Sequence, residues 1–266
     1  MANKKDSLGD RMKGYENISR NHLTRRVPVI IRLDGKAFHT FTRGLEKPFD
    51  NVMVTAMQNT MKYLCENIQG CVLGYTQSDE ITLVLTDYAT IATDSWFGYN
   101  IQKMCSVSAS MATLAFNRFF AEAVCDRIDN DKTEPFDSSK HGVYMGKLNK
   151  AMFDSRVFSI PKEEVCNCLI WRQQDATRNS IEAVGQANFS HSQLHKKTCN
   201  DIQEMLWSQK GINWNDFPDF LKRGSCCYKT ATVVHTENGD VERHKWVVDL
   251  NPPIFTQNRE YVEVWL

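Results

Sequence analysis

Residues 71–85 read CVLGYTQSDEITLVL, two apolar and β-rich runs on either side of the polar bend Gln77-Ser78-Asp79-Glu80. This pattern predicts a β-hairpin that carries acidic residues at its bend. Upstream, residues 27–33 (VPVIIRL) predict a short buried strand that stops at the turn pair Asp34-Gly35. The two stretches together place carboxylates at the ends of neighbouring predicted strands.

The segments around the hairpin complete a β–α–β–β–α–β order. The remaining elements are a helix over Asn51 to about Asn67 with Asp50 as its N-cap, a helix over Ser95 to about Val124, and a strand over Phe153 to Ile160. This order is typical of the α+β class and of the ferredoxin-like βαββαβ fold, an antiparallel four-stranded sheet with helices on one face. The palm of polymerases and nucleotidyl cyclases has this architecture.

We divide the chain into a palm-like catalytic part, residues 1–161, and a C-terminal helical and β-hairpin part, residues 162–266. No Pro-, Gly- or Ser-rich linker separates them, so we expect the two parts to share one core. In the first part, the other predicted elements are a basic N-terminal helix (6–20) and a loop (126–151). In the second part, we predict two helical stretches (about 162–187 and 192–208) and then a hairpin (225–236 and 241–249) with Asn238-Gly239 at its turn. The tail VEVWL (262–266) predicts an extra strand.

The composition excludes several classes of protein. The 266 residues include 32 Lys and Arg against 32 Asp and Glu, which excludes a globally basic nucleic-acid binder. Residues 1–47 are locally basic, with eleven Lys and Arg against five acids, which suits a phosphate-bearing partner or merely a solvated helix. No run of about 18 apolar residues predicts a membrane span, and the first residues lack a secretory signal. We therefore expect a cytoplasmic protein with no membrane partner.

The acidic strand ends predict a metal site. In a βαββαβ sheet the first strand lies beside the hairpin, so Asp34 approaches Asp79 and Glu80. Clustered carboxylates repel one another, and Mg²⁺ offsets that repulsion because it prefers hard oxygen ligands and substrate phosphates. Two such ions would activate a 3′-hydroxyl and stabilise a leaving pyrophosphate. The alternative is that these residues only form turns, as Asp and Gly often do.

The residues after Asp34 suit a triphosphate. Gly35-Lys36-Ala37-Phe38-His39 would present successive backbone N–H groups to an anion. Lys47 is placed to reach a phosphate as a point charge, and Lys103 lies on a helix face that would overlook the same site. The alternative for each lysine is a solvated side chain.

The sequence resembles the tRNA-histidine guanylyltransferase superfamily, the 3′–5′ polymerases. The matching segments, in the order of the family, are IIRLDGKAFHTFT (30–42), Lys47-Pro48, GYTQSDEITLVL (74–85), FDSRVFSIP (153–161) and WRQQDATRNSI (171–181). Together they span roughly residues 10–250, and R-[LI]-D-G-x-x-F-H followed by Q-S-D-E is a specific combination.

The resemblance implies a palm domain that adds nucleotides to the 5′ end of RNA. ATP or GTP first activates a 5′-monophosphate, and the 3′-hydroxyl of an incoming nucleoside triphosphate then attacks it. By motif match, Asp34, Asp79 and the Gly35 carbonyl would bind two Mg²⁺ ions, with Glu80 supporting them as a third catalytic carboxylate. Residues Asp34, Gly35, Lys36, Ala37, Phe38, His39, Lys47, Ser78, Asp79 and Lys103 would hold the nucleotide. A homotetramer is also implied.

One departure from the family pattern concerns specificity. Enzymes that guanylylate histidine tRNA carry H-I-N-N after W-R-Q-x-D, whereas Thr177 stands here in place of the histidine and Asn179 is kept. The sequence therefore looks more like the guanylyltransferase-like branch, which implies template-dependent repair of the 5′ end of tRNA rather than untemplated addition of G at position −1. Arg178 and Asn179 are candidate RNA contacts, as are Arg25 and Arg26 in the basic segment.

Two other classes were weighed. A nucleotide cyclase on the same palm is disfavoured because the bend lacks a G-G-[DE]-E-F signature. A non-catalytic ferredoxin-like RNA-binding protein would stack bases on exposed sheet aromatics, and the strands lack the R/K-G-F-x-F pattern of such modules.

Overall fold

The computed structural model describes residues 7–131, 138–236 and 239–266. The strands are β1 (Val29–Gly35), β2 (Cys71–Gln77), β3 (Glu80–Leu85), β4 (Phe153–Ser159), β5 (Ser225–Thr236) and β6 (Gly239–Asp249). The helices are α1 (Ser7–Ile18), α2 (Phe38–Phe41), α3 (Asn51–Asn67), α4 (Ile101–Asp129), α5 (Ser138–Met145), α6 (Lys162–Asn188), α7 (His191–Leu194), α8 (Cys199–Lys210), α9 (Asp219–Arg223) and α10 (Glu260–Glu263), with 3₁₀ turns at Trp96–Tyr99 and Trp214–Asp216. Among these helices, none has the length and apolar character needed to cross a bilayer.

The sheet has six strands in the order β4-β1-β3-β2-β5-β6, and all neighbours are antiparallel. Its first four strands have the predicted ferredoxin-like order, with β1 between β3 and β4. The predicted C-terminal hairpin extends the sheet beyond β2. Asn238 of its predicted turn lies outside the described residues.

Strand alternation divides β1 between two cores. Val29, Ile31 and Leu33 are fully buried against α3 and α4, as predicted for helices on one face. Ile30 faces the other side, where it packs with Val84 and with Leu169 of α6. Because β1 buries both faces, its sequence is a continuous apolar run rather than an alternating one.

The structure corrects three predicted segments. The predicted loop over residues 126–151 contains the end of α4 and helix α5. The second C-terminal helical stretch is broken, because a capping box between Thr198 and Asp201 starts α8 afresh. The tail forms α10 instead of a strand, and its Trp265 ring stacks on Tyr228 with ring centroids 5.0 Å apart. The division of the chain at residue 161 stays a prediction.

Asp50 joins α3 to α5. Its buried carboxylate accepts hydrogen bonds from the backbone N–H of Met53 at 2.9 Å, as the predicted N-cap, and from the N–H of Glu46 at 2.9 Å. The Tyr144 hydroxyl of α5 donates a third bond at 2.5 Å. Burial and the Asp50 carboxylate both raise the pKa of Tyr144, so this hydroxyl stays a donor at physiological pH.

We expect Asp50→Ala to lower the free energy of unfolding by about 3 kcal/mol, since it removes a helix cap and leaves buried donors without an acceptor. Tyr144→Phe removes one of the three bonds and should cost about 1 kcal/mol. Urea denaturation of both variants measures the difference. Equal losses would show that the carboxylate does not act as the shared acceptor.

Candidate active site

Three acidic residues lie side by side at one end of the sheet. Asp34 near the end of β1 is the direct cross-strand partner of Glu80 on β3 and of Asp154 on β4. Directly opposed residues in antiparallel strands project on the same face, so these three side chains share the α6 side of the sheet. Asp79 follows in the hairpin bend. The structure thus brings together Asp34, Asp79 and Glu80, as predicted.

The bend is fixed directly to the end of β1. The Gly35 N–H donates to the Asp79 carbonyl at 3.1 Å, and Ser78 turns the chain with a positive φ of 50°. Burial is the main cause that raises the pKa of Asp79, and the nearby Asp34 carboxylate raises it further, while a 3.0 Å hydrogen bond from the Ser78 hydroxyl opposes the shift. Asp79 therefore lies close enough to Asp34 for the two like charges to repel each other.

Glu80 has a different partner. Its Oε2 accepts a 2.7 Å hydrogen bond from Arg172 of α6, which also contacts Asp175 at 3.0 Å. Burial raises the pKa of Glu80, and the positive charge of Arg172 opposes that rise. The other oxygen, Oε1, is buried and has no hydrogen-bond partner among the described residues. Arg172 was not predicted, because its contact with Glu80 spans 92 residues of sequence.

The donor set fits Mg²⁺. Asp34, Asp79 and the backbone of Gly35 supply hard oxygens at one point, and the partnerless Glu80 oxygen lies beside them. Within the described residues, no group of three His, Cys, Asp or Glu side chains is placed to hold a metal ion by itself. A site where the protein supplies only some of the ligands suits an ion that also binds substrate phosphates.

A cleft of about 630 Å³ opens on the α3 side of the carboxylates. This volume lies in the range of small-molecule sites. It is lined by Asp34, Gly35, Ala37, Phe38, His39, Thr42, Leu45, Glu46, Lys47, Pro48, Phe49, Asp50, Met53, Val54, Ser78 and Asp79. The cleft therefore collects most of the residues predicted to bind nucleotide.

Local packing shapes the segment after Asp34. A Cβ on Gly35 would lie 2.3 Å from the Phe38 ring, so this position needs glycine. Phe38 itself is buried and packs on Phe153 with ring centroids 5.1 Å apart, which leaves its backbone rather than its side chain for a ligand. The N–H groups of Gly35 and Lys36 already donate to the carbonyls of Asp79 and Met152. The backbone N–H groups of residues 37–39 therefore stay the candidates for binding an anion.

Two predicted phosphate ligands lie outside the cleft lining. Lys36 is exposed but does not line it. Lys103 is at the far end of α4, with its ammonium 4.5 Å from the Phe97 ring centroid. α4 meets β4 near the site through Thr113, whose hydroxyl accepts from the Phe153 N–H, ten residues from Lys103. At about 1.5 Å per residue this is roughly 15 Å, so Lys103 does not overlook the site of its own chain.

The predicted RNA contacts fall in two places. The Arg25 and Arg26 guanidinium groups bind within the chain, Arg25 to the buried Asp87 at 2.6 Å and Arg26 to the Ile91 carbonyl at 2.8 Å. Arg178 is exposed on α6, where it contacts Asp175, and Asn179 lines a second cavity that also touches Ser78. The RNA role of all four stays a prediction.

Comparison with known proteins agrees with this geometry. The family model of tRNAHis guanylyltransferase (Thg1) matches residues 9–161. A bacterial Thg1-like protein solved in complex with ATP is 44% identical, with a TM-score of 0.80 and coverage of 97% of this chain and 98% of that one. A bacterial Thg1-like protein in complex with GTP is 43% identical, with a TM-score of 0.76 and coverage of 98% and 99%. The tRNA(His) guanylyltransferase of Saccharomyces cerevisiae is 25% identical over 221 residues, 78% of this chain and 84% of its own.

A palm-like sheet with this carboxylate edge and nucleotide-sized cleft defines the chain as a nucleotidyltransferase. It belongs to the tRNA(His) guanylyltransferase, or Thg1, family. The resemblance stated from the sequence motifs is thus confirmed at the level of the family.

In metal-free buffer at pH 7, we expect Asp79→Asn to raise the free energy of unfolding by about 1 kcal/mol, because burial and then the Asp34 carboxylate disfavour the charged form of Asp79. The sign follows from the raised pKa of Asp79, which means that folding disfavours its charged form. The difference between the two proteins should shrink as the pH falls through the folded pKa of Asp79. Chemical denaturation in EDTA at several pH values measures it.

Adding Mg²⁺ with ATP should make the wild type more stable than Asp79→Asn. The wild type should gain thermal stability, whereas Asp79→Asn should gain much less, because it lacks one ligand of the ion. Equal gains in both proteins would contradict the assignment of Asp79 as a metal ligand.

Proposed function

We propose that the protein adds nucleotides to the 5′ end of tRNA in the 3′–5′ direction, directed by the opposing template base. The main support for this proposal is that Asp34 and Asp79 lie close together and both line a cleft large enough for a nucleotide. The family membership and the ATP and GTP complexes of the bacterial Thg1-like proteins support a purine nucleoside triphosphate in that cleft.

The reaction has two nucleotidyl transfers. A 5′-monophosphate oxygen of the RNA attacks the α-phosphorus of ATP or GTP, and pyrophosphate leaves. The 3′-hydroxyl of an incoming nucleoside triphosphate then attacks the activated 5′-phosphorus, and the nucleoside monophosphate leaves. The new end carries the triphosphate of the added nucleotide.

The residues divide this work among them. Asp34, Asp79 and the Gly35 carbonyl would hold two Mg²⁺ ions, which supply activation of the hydroxyl and stabilisation of the leaving group. Lys47 and the backbone of residues 37–39 bind the triphosphate on the α3 side. Arg172 holds Glu80 in place through a buried ion pair with Oε2. The Oε1 oxygen of Glu80 has no hydrogen-bond partner among the described residues. We further propose a cytoplasmic homotetramer, as the family resemblance implies.

Two observations favour template-dependent addition over addition of G alone. Thr177 replaces the histidine of the H-I-N-N segment. The identity to the bacterial Thg1-like proteins, 44% and 43%, also exceeds the 25% to the yeast tRNA(His) guanylyltransferase. The alternative activity, addition of G at position −1 of histidine tRNA, is favoured by the retained Asn179.

A 5′-extension assay tests the proposal. The protein is incubated with Mg²⁺, ATP, all four nucleoside triphosphates and a tRNA that lacks its first nucleotide, while the opposing base is varied. We expect the added nucleotide to follow that base. Asp34→Asn or Asp79→Asn should reduce extension about 10³-fold or more, since metal-supported charge stabilisation supplies several kcal/mol.

The matched control is Asp126→Asn, an exposed acid on α4 that should leave extension unchanged. Addition of G whatever the opposing base would favour the histidine-tRNA activity. Absence of extension with RNA still bound would favour a non-catalytic RNA-binding protein.

A further inference from the structure

An exposed tryptophan lies beside two arginines on the α6 side of the sheet, near the carboxylates. The Trp171 side chain is 50% exposed, and its ring belongs to none of the three apolar clusters among the described residues. The Arg172 guanidinium carbon lies 3.7 Å from the ring centroid, and that of Arg32 lies 5.2 Å from it. About half of this large indole is exposed, so part of its apolar surface is available to a partner.

Both arginines connect this ring to the reaction centre. Arg32 precedes Asp34 by two residues on β1, so it projects on the same face about 7 Å from it along the strand. Arg172 donates to Glu80 at 2.7 Å. Arg156, directly opposite Arg32 on the edge strand β4, is exposed, and its guanidinium lies 3.7 Å from the Asp154 carboxylate. Through these two arginines the ring is linked to the strand that carries Asp34 and to Glu80.

Beside the carboxylates, the two faces of the sheet differ in chemistry. The α3 side has the enclosed cleft, which suits a nucleotide. The α6 side has an exposed surface with Trp171, Arg156 and Arg178. Arg156 pairs with Asp154 and Arg178 pairs with Asp175. A reaction that joins two substrates must bring both to Asp34 and Asp79, and the second substrate reaches them from the side that the nucleotide does not fill.

The composition of the α6 side suits RNA. Aromatic rings stack on unpaired or terminal bases, and guanidinium groups bind phosphate in a bidentate manner. Arg178 lies seven residues after Trp171 on α6 and is also exposed. That spacing is close to two helical turns, about 10 Å along one helix face, which matches a strand that continues away from the edge.

We propose that Trp171, with Arg32 and Arg156, forms the docking surface for the 5′-terminal nucleotides of the RNA. The indole stacks on the terminal base, and the arginines bind the phosphates beside it. The 5′-phosphate then lies at the carboxylates while the nucleoside triphosphate occupies the cleft on the other side. This inference rests on the proposed function, since it assigns the second substrate of the same site.

Trp171→Ala, Trp171→Phe and the control Trp207→Ala test the role of the ring. Trp207 is 62% exposed on α8, and among the described residues no cationic group lies over its ring. The probe is a 5′-monophosphorylated hairpin RNA that lacks its first nucleotide. Binding is measured by fluorescence anisotropy, and KM is measured separately for RNA and for nucleoside triphosphate.

For Trp171→Ala we expect Kd and KM for RNA to rise about 10-fold or more, the usual effect of losing one stacking platform, with KM for the nucleotide unchanged. Trp171→Phe should recover most of the affinity because it keeps a stacking ring. Trp207→Ala should behave as the wild type. Thermal unfolding and ATP binding of each variant establish that it is folded.

Arg156→Gln provides a second test, since it changes an exposed edge residue that carries no core packing. It should weaken RNA binding several-fold and reduce the salt dependence of log Kd by about one unit of slope. If Trp171→Ala and Arg156→Gln both bind RNA as Trp207→Ala does, the docking surface is wrong. That result, combined with normal extension by the wild type, would leave the proposed function standing. Failure of the wild type to extend RNA would overturn the function itself.

Discussion

Antiparallel pairing of β1 with β3 and β4 forces acidic residues together at one end of the sheet. The register sets Asp34 directly opposite Glu80 and Asp154, and the Gly35 N–H ties the hairpin bend with Asp79 to the same point. A one-residue slip would turn Arg32 and Asp34 of β1 into the buried core against α3 and α4, where Val29, Ile31 and Leu33 now lie. The fold therefore keeps these like charges adjacent because its two cores require that register.

The chain offsets only part of the resulting repulsion. Arg172 of α6, the helix that packs on the second face of the sheet, neutralises Glu80. Asp79 receives only a neutral hydroxyl from Ser78, and its pKa stays raised. A fully compensated site would gain little from binding a cation. In the proposed mechanism, this partial compensation would retain a free-energy gain for Mg²⁺ and phosphate when substrate arrives.

Local and pairwise patterns made much of this structure predictable. The bend at Asp79, the cap at Asp50 and the order of the first four strands depend on periodicity, turn chemistry and the topology of split βαβ units. Contacts between distant elements were missed, because no local pattern encodes which face of α6 meets Glu80 or where Lys103 lies relative to β1. The cross-strand position of Asp154 could have been derived, since the order predicted for β4 beside β1 already implied such a neighbour. The tail was mistaken for a strand because short β-branched and aromatic runs also suit a helix that packs its rings on a sheet.

The proposed reaction needs two different substrates, a nucleoside triphosphate and an RNA end, at one set of carboxylates. The end of a sheet meets that need better than a closed pocket does, because substrates can approach it from both faces of the sheet. Here the α3 face encloses a cleft with Lys47 at its rim, whereas the α6 face stays open and displays Trp171 beside Arg32. An enclosed pocket selects a small molecule of fixed size, and an open aromatic and cationic surface accepts the end of a polymer. The asymmetry of the two faces thus matches the asymmetry of the two substrates, one free nucleotide and one RNA end.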